Sequence, residues 1–299
     1  MRSILTVDDL SENDVDSILA RASEFHTNRH LDQSSQSRHR RLLSLIFFEP
    51  SLRTRVGFVA AATRLGWGVV EVFERRQSPV SMAESWSDTL RMVAGYSDVI
   101  VARPGQPFGH DELADAAACP VINGGDVGPG SQHPSQALVD LFAIQQLVGP
   151  VAGLRLAIVG DPRMRAVRSL LALLARRPPA ALALVADAEH LGEACIPSAL
   201  QSIVNVCSWN DLSEVGVIYI AGIPHGSLPL DRRNALLATA ARVQALTAHC
   251  VLLSPMPVID EMDACARRDA RNRMFEQSDL GLYVRMAILE HVMRSDLRG

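Results

Sequence analysis

The sequence predicts an α/β protein: two doubly wound domains with parallel sheets, joined by a linker, and a C-terminal helix that packs back on the first domain. Three observations predict it. Short apolar runs alternate with helical patterns along the chain, and such alternation yields parallel sheets through right-handed crossovers. The alternation breaks at Gly149-Pro150-Val151-Ala152-Gly153 and then restarts, which marks a linker. The chain has 299 residues, which suits two domains of roughly 130–160 residues better than one core.

The elements follow in order. Ser11 and Asp14 form a capping box, after which Val15, Ile18, Leu19, Ala22 and Phe25 recur at helical spacing. Residues 27–41 are polar and basic and read as a loop. Strands are predicted at Leu42–Phe48, Val69–Phe73, Asp98–Arg103 and Pro120–Asn123, with helices at Arg53–Leu65, Met82–Ala94, His110–Ala117 and Ser135–Leu147. Beyond the linker come strand Leu154–Val159, helix Arg165–Arg176, strands Ala181–Ala186 and Val215–Ala221, helix Arg232–Leu246 and strand Cys250–Leu253. A last helix near Gly281–Arg294 is apolar on most of its circumference and needs burial.

Composition excludes several function classes. The chain is 48% hydrophobic and 21% charged with net charge −4, a globular balance with no basic surface for nucleic acid. No apolar run approaches the length of a membrane span, and residues 1–10 lack a secretory apolar core. Five scattered cysteines in no CxxC pair argue against structural zinc or a disulfide framework and fit a reducing cytoplasm. All 29 basic residues other than histidine are arginine. Without lysine there is no Schiff-base chemistry and no P-loop, so an anion must be held by Arg, His, hydroxyls or backbone N–H groups.

Two segments could do so. In Phe47-Phe48-Glu49-Pro50-Ser51-Leu52-Arg53-Thr54-Arg55 an apolar strand ends and a helix opens among hydroxyls and guanidinium groups. That is either a lysine-free phosphate site or a helix cap with surface arginines. The glycine-rich run from Asn123 to Gln132 delivers His133 and Gln136 to another helix start. His133 reads as a cap or as a group facing the anion site. A dinucleotide fold is rejected, since Pro162 and Arg163 follow Val159-Gly160-Asp161 where glycines would be required.

These residues carry a resemblance. Phe47 to Arg55 is similar to the Phe-x-Glu-x-Ser-Thr-Arg-Thr-Arg motif of the aspartate and ornithine carbamoyltransferase family, with Leu52 in place of Thr. His133-Pro134-Ser135-Gln136 matches its His-Pro-x-Gln motif, and Val99–Arg103 resembles the strand that supplies another arginine. Leu156–Asp161 matches the first strand of the acceptor domain, and Pro255-Met256-Pro257 with Asp260-Glu261 resembles its closing motif. Within that family the chain most resembles the aspartate carbamoyltransferase catalytic chains. The resemblance implies a carbamoyl-phosphate-binding domain at 1–148, an acceptor domain at 149–278, and a helix over 279–299 returning to the first domain.

It also implies roles. Ser51, Arg53 and Thr54 would bind the phosphate of carbamoyl phosphate, and Thr54, Arg103 and His133 would polarise the carbamoyl oxygen. Gln136 would orient the carbamoyl amide, Arg165 would hold the acceptor's α-carboxylate, and Ser78 and Pro257 would complete the site. No metal or organic cofactor is implied. Family sites are shared between subunits, so a homotrimer or a multiple of one is expected.

The departures fall on the acceptor side. Met82 stands where the family's mobile loop carries a Lys four residues after Ser78; Arg75 or Arg76 could substitute. The Arg that grips aspartate's side-chain carboxylate is replaced by Gly222, a following Gln by Pro224, and the closing motif reads Ser254 to Val258. Losing a buried charge pair costs several kcal/mol, about enough to disfavour aspartate. His225 and Ser227 could line a remodelled pocket or be loop residues. Three readings follow: a carbamoyltransferase with another amine acceptor, an authentic aspartate enzyme of pyrimidine biosynthesis, or a weakly catalytic homologue with a structural or regulatory role.

Overall fold

A computed structural model describes residues 3–28, 41–73, 85–107, 109 and 117–294. The chain divides into two compact units, Met1–Leu138 with Leu280–Gly299, and Val139–Asp279.

The first unit opens with α1 (Glu12–Thr27). Ser11 caps it and Asp14 answers the cap, while Val15, Ile18, Leu19, Ala22 and Phe25 form its buried face. The sheet is wholly parallel, with strands β1 (Leu42–Phe47), β2 (Gly68–Phe73), β3 (Val99–Arg103) and β4 (Val121–Asn123) in the order β2-β1-β3-β4. Leu43 to Phe47 and all of β3 are buried, as expected of strands covered on both faces. Helix α2 (Leu52–Arg64) follows β1, and α3 (Trp86–Ala94) precedes β3. Ile46, Leu90, Val93, Ile100 and Val121 belong to one apolar cluster.

Helix α4 (Pro134–Leu147) leads into the second unit, whose parallel strands are β5 (Arg155–Val159), β6 (Ala181–Val185), β7 (Val204–Val206), β8 (Val217–Ile220) and β9 (Val251–Leu253), in the order β7-β6-β5-β8-β9. Its helices are α5 (Arg165–Arg176), α6 (Ala188–Gly192), α7 (Leu230–Leu236), α8 (Ala240–Gln244) and α9 (Ala264–Arg267). A polar strut crosses its core. The Tyr219 hydroxyl donates to Asp140 at 2.6 Å, Gln277 Nε2 donates to the other oxygen of Asp140 at 2.6 Å, and Gln277 Oε1 accepts from the Ser254 N–H at 2.8 Å. Burial holds the Tyr219 phenol protonated far above its usual range, with the Asp140 charge adding to the effect.

The C-terminal helix α10 (Met274–Arg294) returns to the first unit. Arg21 of α1 pairs with Glu290 at 2.7 Å, Arg285 lies 5.8 Å over the ring of Phe58 in α2, and Tyr283 meets His26 edge-on at 5.1 Å. The predicted packing of this helix on the first domain is thus observed.

Four details differ from the sequence reading. The span Arg232–Leu246 is two helices, because Ala238 leaves the helix to exchange backbone bonds with Glu261 and Asp263 and Thr239 caps a new start. Helix α3 starts at Trp86, where the Ser85 hydroxyl caps the Asp88 N–H. Helix α10 starts at Met274 and runs through Gly281, since burial of Leu280 and Val284 overrides the weak helix propensity of glycine. Strand β7 is an edge of three residues, too short to show a periodicity. The helix expected at His110–Ala117 lies almost wholly outside the described residues.

All five cysteines are free, and burial pushes the Cys119 and Cys250 thiols up to about 11 and about 12. Among the described residues no helix is long and apolar enough to cross a membrane.

Candidate active site

Open parallel sheets bind ligands beyond the carboxyl ends of their strands, at the point where strand order reverses. In the first unit that point lies between β1 and β3, because β1 leads outward to β2 and the chain then crosses back to β3 and β4. The Phe47–Arg55 segment leaves β1 there, and Arg103 ends β3 there, paired in register with Phe47.

Ser51 is the N-cap of α2 in extended conformation, yet its hydroxyl makes no capping bond, and the first turn holds no acidic residue. The first N–H groups of the helix therefore lack intrahelical partners and carry its positive end. Arg53, in that turn, is half-buried and has no ion-pair or hydrogen-bond partner among the described residues. Burial alone pushes its guanidinium below the usual range. A cation kept partly from water without a carboxylate is a group set up for an exogenous anion.

Thr54 is buried, and its Oγ1 lies 3.3 Å from His133 Nε2; His133 Nδ1 lies 3.3 Å from the Ser135 hydroxyl. Arg103, also buried, is paired with Glu49 at 2.5 Å. Gly125 ties these groups together. Its φ of 105° is one that L side chains rarely adopt, and a Cβ there would stand 2.9 Å from His133 Cδ2 and 3.4 Å from Arg103 Nη1. Imidazole and guanidinium therefore flank the same glycine. The loop presenting them is held by Asn123, which accepts from the Gly125 N–H at 2.7 Å and donates to Leu5 at 2.8 Å, and by Gln132, which accepts from the Val7 N–H at 3.0 Å.

The first unit thus brings Thr54, Arg103 and His133 together, with Ser51 and Arg53 one helical turn or less from Thr54. Gln136 follows in the first turn of α4, its N–H bonded to His133 O at 3.0 Å. Ser78 and Met82 lie outside the described residues. Glu49 was not singled out from sequence; its place in the Phe47–Arg55 motif, two residues before Ser51, was the available signal.

In the second unit Arg165 is the first residue of α5, behind Met164, which supplies no side-chain cap. Pro257 is exposed and follows a cis peptide bond after Met256. The surrounding charges are mutually engaged. Arg163 pairs with Asp161 at 2.8 Å and with Glu193, and Arg233 pairs with Asp260 while donating to Ile223 O at 2.8 Å. Glu261 is buried and accepts backbone N–H bonds from Ile223 at 3.2 Å, Ile259 at 2.7 Å and Asp260 at 3.2 Å. His225 is exposed in a turn, and the Ser227 hydroxyl closes that turn on Pro224 O at 2.7 Å.

Comparison with known proteins gives this geometry a context. Residues 2–146 match the family model described as aspartate/ornithine carbamoyltransferase, carbamoyl-P binding domain. The aspartate carbamoyltransferase catalytic subunit of Archaeoglobus fulgidus is 32% identical over 299 residues, covering 98% of this chain and 99% of that protein. Among solved structures, the catalytic subunit of M. jannaschii aspartate transcarbamoylase superposes with a TM-score of 0.84 at 26% identity over the whole of both chains. The Trypanosoma cruzi aspartate transcarbamoylase, solved in complex with carbamoyl phosphate and aspartate, does so with a TM-score of 0.81 at 28% identity over 96% of this chain and 95% of that one. A fold, a motif set and a full-length similarity agree, and the chain belongs to the aspartate/ornithine carbamoyltransferase family.

Proposed function

We propose that the protein transfers the carbamoyl group of carbamoyl phosphate to the amino group of an amino acid or related amine. The observation that carries this is Arg53, a half-buried guanidinium at the open N-terminus of α2, beside Thr54, without an ion-pair or hydrogen-bond partner among the described residues.

In this reading the phosphate sits on the Ser51 hydroxyl, the first N–H groups of α2 and the Arg53 fork. The carbamoyl oxygen faces Thr54, His133 and Arg103. A Ser135 hydroxyl donating to Nδ1 leaves the proton of His133 on Nε2, from where it donates a hydrogen bond to that oxygen as negative charge develops. The neutral amine attacks the carbonyl carbon. The bond from that carbon to the phosphate oxygen then breaks, phosphate leaves with the electron pair, and the proton lost by nitrogen goes to phosphate. The products are a ureido compound and inorganic phosphate. Gln136 orients the carbamoyl amide, Arg165 takes the carboxylate of the acceptor, and Ser78 and Pro257 border the substrates. The assembly in this reading is a homotrimer or a multiple of it.

Aspartate as acceptor is the second reading, favoured by the full-length similarity to aspartate carbamoyltransferases. The test is phosphate release from carbamoyl phosphate by the full-length protein with a panel of amines. Acceptor-dependent release and a ureido product support the proposal, and the best amine decides between the two readings. No release with any amine, together with no binding of carbamoyl phosphate, overturns it.

A further inference from the structure

The second sheet has a reversal point of its own, and its chemistry differs from that of the first. The chain runs from β5 outward to β6 and β7 and then crosses back to β8 and β9, so the reversal lies between the carboxyl ends of β5 and β8. The two loops there are built against each other. Gly160, with φ 120°, has room for no side chain, because a Cβ would lie 2.5 Å from Ala221 O. The Asp161 N–H donates to Gly222 O at 3.4 Å.

Gly222 is a different kind of glycine. Its φ lies outside the left-handed region, and the atoms nearest to a Cβ would be Met164 Cε at 3.7 Å and Glu261 Oε1 at 3.9 Å, both ordinary contacts. The backbone does not require glycine here, and the place a Cβ would take is left unfilled. That space is bordered by a thioether methyl and a carboxylate oxygen. Glu261 cannot easily swing away: it is buried, and three backbone N–H groups hold it. Arg233 forms a long ion pair with Glu261 Oε1 at 3.9 Å, and its closer bonds go to Asp260 and to Ile223 O.

Resting on the carbamoyl-transfer reading, we infer that Gly222, Met164 and Glu261 form the side-chain end of the acceptor subsite and select an amino acid whose side chain ends in a hydrogen-bond donor over one that ends in a carboxylate. A hydroxyl, amide or ammonium group reaching past Gly222 meets an acceptor oxygen in Glu261, with Met164 covering the apolar stem. A carboxylate in that place meets a like charge held in position, and such juxtapositions are strongly disfavoured.

The experiment measures kcat/KM of the full-length protein at saturating carbamoyl phosphate with serine, asparagine, 2,3-diaminopropionate and aspartate, alongside calorimetric binding of carbamoyl phosphate. At least one donor-ended acceptor is expected to exceed aspartate by about 100-fold. Gly222→Arg, which fills the space with a cation, is expected to raise kcat/KM for aspartate tenfold or more and to lower it for 2,3-diaminopropionate. Glu261→Gln, which removes the charge and keeps one accepting oxygen, is expected to narrow the gap at least tenfold. Carbamoyl phosphate binding with aspartate as the preferred acceptor, or a preference that neither variant moves, overturns this inference and leaves the transfer reading standing. Absence of carbamoyl phosphate binding overturns both.

Discussion

The two sheets have the same connectivity around their central strands, yet the residues at their reversal points are opposite in charge and in commitment. At the first, the Arg53 cation is half-buried and pairs with no carboxylate among the described residues, and the helix start beside it is acid-free. At the second, Arg163 is tied to Asp161 and Glu193, Arg233 to Asp260 and, at 3.9 Å, to Glu261, and the polar group beside Gly222 is the carboxylate of Glu261. Topology decides where a ligand binds, and the side chains at the strand ends decide what it is. The first unit keeps its similarity to the family in the residues that would hold phosphate. The second carries a glycine and a carboxylate at its reversal point.

The comparison can be broken most severely at His133. His133→Ala removes the imidazole that stands 3.3 Å from Thr54, and the loss of one oxyanion donor lowers kcat by about 10²–10³-fold. Steady-state phosphate release should show that loss with KM for carbamoyl phosphate changed far less. An equal rise in KM would assign His133 to ground-state binding instead.

A change confined to the second unit sharpens the contrast. Tyr219→Phe takes the hydroxyl from the fully buried Asp140, and a buried acceptor left short of a donor costs about 1–3 kcal/mol. Thermal denaturation should shift down by about 3–10 °C, while calorimetric affinity for carbamoyl phosphate should not move. A fall in that affinity would show that the anion site depends on the second unit's core.

The smallest effect is electrostatic. Arg271 holds the Asp269 carboxyl down at about 2 through a two-pronged hydrogen bond. A depressed carboxylate contributes stability above its unfolded value of about 4. That contribution is lost as pH falls through about 2. Asp269→Asn should therefore lower stability by about 0.5–1 kcal/mol at pH 7, and the difference from the parent protein should close as pH approaches 2. A gap that stays constant with pH would mean that the pair acts through packing and not through charge.

The architecture was largely legible because parallel strands buried on both faces leave near-continuous apolar runs, as in Leu43–Phe47, interrupted only by Ser44, and Val99–Ala102. It was illegible where tertiary contacts outweigh local preference. Ala238 leaves a helical pattern for a backbone partner over twenty residues away, and Gly281 stays helical because its neighbours are buried. At the candidate site, the motif residues and the glycine-rich loop stood out as segments. Which pairs meet did not: Thr54 and His133 are 79 residues apart and converge because β1, β3 and β4 lie side by side and the loop after β4 reaches back to the start of α2. Glu49 and Glu261 were invisible in their roles, since a carboxylate's partner is set by the fold and, for Glu261, consists of backbone N–H groups that no sequence displays. Ser78 and Met82 lie outside the described residues.

The most direct test of the central claim, that the turn after β1 is a lysine-free phosphate cradle, is calorimetric titration of carbamoyl phosphate into the parent protein, Arg53→Ala and Arg165→Ala. Removing a desolvated cation from a bound anion costs about 2–5 kcal/mol. Arg53→Ala is therefore expected to weaken binding by about 30-fold or more, while Arg165→Ala binds as the parent does. Equal affinity in the parent and in Arg53→Ala would contradict the account.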